Sequence, residues 1–394
     1  MKILHFSDTH LGAKRYGLNE SYNDFNKAFD EVIKYIDELK PDIVIHSGDL
    51  FDKSKPTPLT LREAFSKIIK VSKQVPFLII PGNHDFSVSI GISPISLLSI
   101  DNDKIKVTEQ RDIFENGRIN VEKIKFQFDG INFFLIPYFH NSGVLRNCID
   151  QILDSLNPNE INLLVLHQIV SQEVLRRKNK VFSNVDIPFE NLESFDFVFL
   201  GHFHSPLFLN NKFAYAGSTE ALSYDEYDYD KNGFIKEQSK KRIFVYEVKS
   251  KNEIKIIDEI TLKSPRKFIK LEFKDPTEEE IRSELKNHQD KEAILVLKIE
   301  NVKKDVIISL RQIKNAFNDY FHHIHIIDHK IIEEPIKINQ SGNISSDEEI
   351  EKQILGEYYE DIIKIYNEVE KVDDDKEKKE KIEDLLRRLR DDNK

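Results

Sequence analysis

The sequence predicts an α/β fold in which a helix-covered sheet is followed by a small β-α-β-α-β domain and a charged helical tail. Three observations carry this reading. Short apolar runs alternate with helical patterns through the first 85 residues. Several of those runs stop at Asp, Asn or His. Beyond Lys263-Ser264-Pro265-Arg266, strand and helix signals alternate again.

Residues 2–7 read as a first strand, ending at Asp8-Thr9-His10. Phe25, Phe29, Val32, Ile33 and Ile36 then recur at helical spacing, and Pro41 must end that helix because it lacks an N–H and clashes with the preceding turn. Asp42 to His46, dense in Ile and Val, is a second strand that runs into Ser47-Gly48-Asp49. The glycine permits a sharp turn and leaves a carboxylate at the strand end. Thr57-Pro58 marks a helix start, with threonine as N-cap, and Leu61, Ala64, Phe65, Ile68 and Ile69 supply the buried stripe. A third strand, Phe77 to Ile80, leads into Pro81-Gly82-Asn83-His84-Asp85.

From about residue 105 to 140, short strands and the turn pairs Asn116-Gly117 and Asp129-Gly130 predict an antiparallel section. Residues 144–156 suit a helix. Asn162 to Leu166 ends at His167, and Phe195 to Leu200 runs into Gly201-His202-Phe203-His204. Lys212 to Ala216 leads to Gly217-Ser218-Thr219-Glu220, the acidic run Tyr224–Asp230 reads as a surface loop, and Arg242–Lys249 and Ile254–Ile260 are closing strands. Past residue 263, strands at Phe268–Phe273, Ala293–Ile299 and Ile324–Ile327 are separated by helices over about 277–287 and 305–320. The alternating His322, His323, His325 and His329 read as ordinary strand residues. A polar linker covers 336–346. Two apolar stripes follow, Ile350, Ile354, Tyr358, Ile362, Ile365 and Val369, then Ile382, Leu385, Leu386 and Leu389, and they need another surface to bury them.

With 394 residues the chain can form two or three domains. A lone cysteine, Cys148, excludes an intrachain disulfide and suits a reducing interior. The polar N-terminal stretch is unlike a signal peptide, and no run approaches the roughly 18 apolar residues of a membrane span, so a cytoplasmic location is expected. Net charge is −11, but residues 347–394 hold 18 acidic against 11 basic side chains, leaving 51 against 47 elsewhere. A near-neutral body does not exclude a nucleic-acid partner.

Asp8, His10, Asp49, Asn83, His84, His167, His202 and His204 all stand at strand ends. Open α/β sheets bind ligands beyond the carboxyl ends of their strands, so these side chains can converge. The D-x-H and H-x-H spacings put both members of a pair on one side of an extended segment. Carboxylates, imidazoles and an amide without cysteine suit hard or borderline cations, and a carboxylate such as Asp49 can bridge two of them. Singly, each residue has an ordinary structural explanation, such as a satisfied core histidine or a side-chain cap. Five such motifs in order argue for a metal centre.

D-x-H, GD, GNHD, a lone His and GHxH in this order resemble the calcineurin-like metallophosphoesterases over about residues 1–260. SDTHLG, HSGDLFD with PTP after it, LHQ, and AGSTE followed by an acidic, aromatic loop and NGF resemble the double-strand-break-repair nucleases called meiotic-recombination-eleven in archaea and eukaryotes and SbcD in bacteria. The resemblance implies a two-sheet metallophosphoesterase sandwich over 1–262 flanked by helices, a DNA-contacting α/β capping domain over 263–335, and a helical segment over 347–394. That segment would dock on a coiled-coil ABC-type ATPase through Ile350, Ile354, Tyr358, Ile362, Leu385, Leu386 and Leu389. It also implies two manganese ions per subunit, with magnesium or another divalent ion as substitutes. One would be held by Asp8, His10, Asp49 and His204, the other by Asp49, Asn83, His167 and His202. His84 would stabilise developing phosphorane charge or protonate the leaving oxygen.

The implied activity is 3′-to-5′ exonuclease on duplex DNA and endonuclease on single strands, by two-metal hydroxide attack on the phosphodiester. A homodimer acting at DNA ends is implied, in the cytoplasm at the nucleoid. Asp52 departs from the pattern, standing where many relatives carry a histidine that assists the exonuclease step. Lys14, Arg15, Lys53, Lys55, Arg176, Arg177, Lys178 and Lys180 flank the motif loops as candidate phosphate contacts. Two other readings use the same motifs: a small-molecule phosphodiesterase or phosphatase, and a DNA-end tether with weak catalysis.

Overall fold

The computed structural model describes residues 1–86, 92–115, 118–171, 186–302 and 304–331. The chain divides into two units, Met1–Ile332 and Glu333–Lys394. The second lies outside the described residues, and so do the predicted linker at 336–346 and both apolar stripes of the tail.

The first unit is built on strands buried on both faces, so period-two alternation feeds two separate cores. In β1 (Lys2–Phe6), Ile3 points into one apolar cluster while Leu4 and Phe6 point into another. β2 (Ile43–His46), β3 (Phe77–Ile79) and β4 (Ile105–Val107) continue from β1 as a parallel array. Its outer face is covered by α1 (Ser21–Leu39) and α2 (Pro58–Ser72), which bury Phe25, Phe29, Val32, Ala64 and Ile68. α1 stops at Lys40, in the left-handed region immediately before Pro41. Thr57 caps α2, its side chain accepting from the Thr60 amide at 3.2 Å. Ile69 departs from the expected stripe: it is 40% exposed, and Val71 takes the inward position instead.

The Asn116-Gly117 turn pair lies outside the described residues, and among the described residues the expected antiparallel section shrinks to two antiparallel strand pairs. One pairs β5 (Phe114–Glu115) with β6 (Arg118–Ile119). The other pairs β7 (Lys125–Phe128) with β8 (Ile131–Ile136) across Asp129-Gly130, both at positive φ, as a tight two-residue turn requires. β8 is parallel to β9 (Ile161–Leu166), which is parallel to β10 (Phe197–Leu200). A turn pair reports only its own hairpin; the crossover helix Ser142–Leu153 makes the β8–β9 pairing parallel. β11 (Leu207–Leu209) and β12 (Phe213–Tyr215) extend this sheet past β10, while β13 (Arg242–Ser250) and β14 (Glu253–Thr261) extend the first sheet past β1.

Two six-stranded sheets result, ordered β14-β13-β1-β2-β3-β4 and β11-β12-β10-β9-β8-β7. Their inner faces share one core that includes Ile3, Ile45, Phe133, Val165, Phe199 and Tyr246. This is the two-sheet sandwich expected from the sequence. Truncating a fully buried aromatic such as Phe199 to alanine costs about 3–5 kcal/mol, which sets the scale of that inter-sheet contact.

Beyond the sandwich, β15 (Lys267–Lys274), β16 (Asp290–Val302) and β17 (Phe321–Ile331) form a parallel three-stranded sheet. Helices Glu278–Asn287 and Lys304–Phe317 connect these strands in β-α-β-α-β order, and the first opens with a capping box between Thr277 and Glu280. On the other face, Phe268, Ile294 and Val296 pack against Ala221 and Tyr227.

Candidate metal centre

The strands carrying the motifs run parallel within each sheet, so their carboxyl ends can present side chains to one crevice. The loops after β1 and β2 are tied to each other. The Asp8 amide donates to the Gly48 carbonyl (2.9 Å), His10 to Asp49 (3.1 Å) and Leu11 to Leu50 (2.9 Å). Asp8, His10 and Asp49 adopt φ of 51°, 45° and 57°. Left-handed backbone costs a non-glycine residue about 1–3 kcal/mol, and these ties hold it. Gly48 (φ 103°) and Gly82 leave room for the ligands. A Cβ at Gly48 would fall 2.2 Å from His167 Nδ1, and one at Gly82 would fall 2.2 Å from Asp49 Oδ1.

Two groups of ligating atoms meet at Asp49. Asp8, His10, Asp49 and His204 bring four donor atoms within 4.8 Å of one another, and Asp49, His167 and His202 bring three. Asn83 joins the second group through Oδ1, 2.8 Å from His202 Nδ1 and 3.2 Å from His167 Nε2. Asp49 Oδ2 lies 3.3 Å from His167 Nε2 and 3.7 Å from His10 Nε2, between the two groups. Every sequence-predicted ligand is therefore in the cluster.

The electrostatics call for a cation. Asp8 and Asp49 are buried, and buried carboxylates without compensating charge are costly. Burial holds His10 well below its ordinary pKa, hence neutral, and its Nε2 stands 3.2 Å from the Nε2 of His204. Burial also works against the charge on Asp49, but His167 outweighs it and keeps that carboxyl well below the usual range. In His167 burial acts downward, yet the Asp49 and Asp8 carboxylates raise it to about 9, so without a cation the site takes up a proton that a bound cation would replace. Hard oxygen and borderline nitrogen donors, all aimed inward, fit divalent cations.

Second contacts fix which imidazole nitrogen faces the crevice. His167 Nδ1 donates to the Ser47 carbonyl (2.7 Å), leaving Nε2 to coordinate. His84 Nδ1 donates to the Asp52 carbonyl (2.8 Å), and its ring meets His10 edge-on at 4.8 Å. His84, Asp52 and His10 form a third group at the rim. Asp52 thus faces the crevice, with its carboxyl raised by burial and only partly offset by His84 and Lys53.

The calcineurin-like phosphoesterase profile matches residues 1–206. The chain belongs to that family. It is 31% identical over 242 residues to the DNA double-strand break repair protein Mre11 of Methanocaldococcus jannaschii, a match covering 59% of this chain and 60% of the relative. Over 367 residues it is 28% identical to the protein of the same name from Methanococcus maripaludis, covering 87% and 88%. Over 252 residues it is 24% identical to the SbcD component of the nuclease SbcCD of Staphylococcus epidermidis, covering 59% and 64%. The chain thus spans less than two thirds of the first and third of these proteins. Within the calcineurin-like phosphoesterases it falls in the Mre11/SbcD family.

Not every expected residue of this phosphoesterase reaches the crevice. Lys14, Lys53 and Lys55 are exposed on the flanking loops. Arg15, expected to contact phosphate, is buried instead. Its guanidinium donates to Asp24 (2.8 Å), Glu220 (2.9 Å) and the Ala221 carbonyl, and stacks over Phe25 and Phe268. Arg176, Arg177, Lys178 and Lys180 lie outside the described residues, as do Ile350, Ile354, Tyr358, Ile362, Leu385, Leu386 and Leu389. No described helix is long and apolar enough to cross a membrane.

Two further residues of the site escape a reading of the sequence. Asp85 accepts the amides of Leu50 (3.0 Å), Phe51 (2.8 Å) and Gly82 (3.0 Å), tying the loops that carry Asp49 and Asn83 together. Its place in GNHD is the available signal. Glu226, inside the run read as a surface loop, turns inward to His204 Nδ1 at 2.9 Å. Burial pushes its carboxyl up, but Lys241 and His204 outweigh that and hold it well below the usual range.

Proposed function

We propose that this chain is the nuclease subunit of a DNA double-strand-break repair complex, cleaving DNA phosphodiesters as a 3′-to-5′ exonuclease on duplexes and an endonuclease on single strands. The observation that carries the reading is Asp49, whose carboxylate is shared by two ligand groups in a chain whose relatives include Mre11 proteins. Asp8, His10, Asp49 and His204 would hold one manganese ion, and Asp49, Asn83, His167 and His202 the other. Bound divalent cations would lower the pKa of a water and neutralise charge on the phosphate oxygens.

The chain's own side chains supply the rest. The Asp52 carbonyl keeps a proton on His84 Nδ1, so a proton given to a leaving oxygen must come from Nε2. Asp52 offers a carboxylate at the rim where a cation would otherwise stand, which makes its own protonation part of substrate approach. Exposed Lys14, Lys53 and Lys55 suit backbone phosphates. Residues 347–394 are proposed to bind a coiled-coil ABC-type ATPase, and the chain to act as a homodimer at DNA ends.

Incubation with manganese and end-labelled hairpin and single-stranded DNA tests this. Metal-dependent shortening of the duplex and internal cuts in the single strand are expected. Intact DNA alongside rapid turnover of small phosphoesters would redirect the assignment to a small-molecule phosphodiesterase.

A further inference from the structure

We propose that Glu226 is a positioning residue that orients His204 and strengthens its hold on one of the two ions, with Lys241 cancelling the charge Glu226 would otherwise add. The inference rests on the metal-centre reading above and deepens it.

A carboxylate only accepts, so the 2.9 Å contact to Glu226 Oε1 keeps the proton of His204 on Nδ1. Nε2 is then left with its lone pair, 3.6 Å from Asp8 Oδ1 and 3.2 Å from His10 Nε2, where the first ion would sit. The same Glu226 oxygen also accepts from the Leu222 amide at 3.0 Å, which fixes the carboxylate plane. The other oxygen, Oε2, takes Lys241 Nζ at 2.6 Å and Ser218 Oγ at 3.0 Å. Lys241 is 1% exposed and directs its remaining donors to Ser218 Oγ (2.8 Å) and the His204 carbonyl (3.0 Å). One ammonium thus grips both members of the Glu226–His204 pair.

In the other ligand group the acceptor behind His167 is of a different kind. His167 is held by the neutral Ser47 carbonyl. An anionic acceptor behind an imidazole raises its basicity toward a metal more than a carbonyl does, and losing such an outer partner costs about 10–100-fold in affinity. A bare carboxylate beside Asp8 and Asp49 would add a third buried negative charge. Lys241 removes that penalty, so Glu226 contributes orientation and basicity at no net charge.

The test is manganese titration of the full chain by calorimetry, wild type against Glu226→Leu combined with Lys241→Met, which removes the acceptor and avoids stranding a buried ammonium. Two binding events are expected in the wild type. In the double variant one of them should weaken about 10–100-fold and the other stay unchanged. Glu226→Gln alone, which keeps an acceptor for Nδ1, should show a smaller loss at the same event and serves if the double variant fails to fold. Nitrogen-15 histidine spectra of the metal-free protein should show the His204 proton leaving Nδ1 in the double variant. Unchanged affinities at both events, or equal weakening of both, overturn the proposal while leaving the metal centre standing. A wild type that binds no manganese overturns the metal centre and this inference with it.

Discussion

Where the sandwich meets the third sheet, Arg15 and Arg266 face Asp24 and Glu220, two cations against two anions. Asp24 accepts from Arg15 Nη2 (2.8 Å) and Arg266 Nε (3.0 Å), while Glu220 accepts from Arg15 Nη1 and from the Arg266 amide. At the strand-end crevice Asp8 and Asp49 are just as buried, yet among the described residues their ion-pair partners are imidazoles. The first cluster is complete as it stands and joins three stretches of chain. The second is short of positive charge, and a cation would complete it. A buried charge with a matched partner holds structure, whereas one without points to a ligand.

Substitutions should separate the two clusters. Asp49→Ala removes the shared carboxylate, and losing several kcal/mol of charge stabilisation should lower manganese-dependent DNA cleavage by about a thousandfold or more. In the metal-free protein His167 can shed the proton that compensates Asp49, so the melting temperature should stay near the wild type's. Asp24→Ala should do the reverse. It takes a shared carboxylate from two guanidinium groups, leaving Arg15 with Glu220 and Arg266 with the exposed Glu292, and should cost about 3 kcal/mol in denaturant unfolding; a loss under about 1 kcal/mol would undo the structural reading of that cluster.

A buried histidine gives a test that depends on pH. His5, in the inter-sheet core with Nε2 2.8 Å from Ser47 Oγ, is lowered by burial, and further by His46, to about 3. The unfolded chain binds that proton near 6.5, so the contribution is fully present above 6.5 and is lost as pH falls toward 3. His5→Leu should flatten the stability–pH curve in that window by about 1.4 kcal/mol per pH unit, read as a change in slope. The smallest effect contrasts two neighbours. Lys14→Ala should leave stability unchanged and reduce the salt dependence of DNA binding by about one phosphate contact, while Arg15→Ala should act through unfolding.

The ligands are legible in the sequence because each closes an apolar run, and a strand end is where a parallel sheet presents side chains. The elements themselves follow from local signals, such as Thr57-Pro58 opening α2 and Pro41 closing α1. Arg15 is not legible, since its charge is visible and its partner is not: Glu220 stands 205 positions away. Glu226 is hidden for a related reason. In Tyr224–Asp230 every acidic residue has the composition of a loop, and only Lys241 and His204 decide which one turns inward. The parallel character of the second sheet stays hidden because hairpin turns are written in two residues and crossovers are not.

The most direct measurement is crystallographic: anomalous diffraction at the manganese edge from crystals soaked in that ion. Two peaks about 3.5–4 Å apart are expected, one among Asp8, His10, Asp49 and His204 and the other among Asp49, Asn83, His167 and His202, with Asp49 touching both. A single peak, or ions that leave Asp49 uncoordinated, would contradict the account.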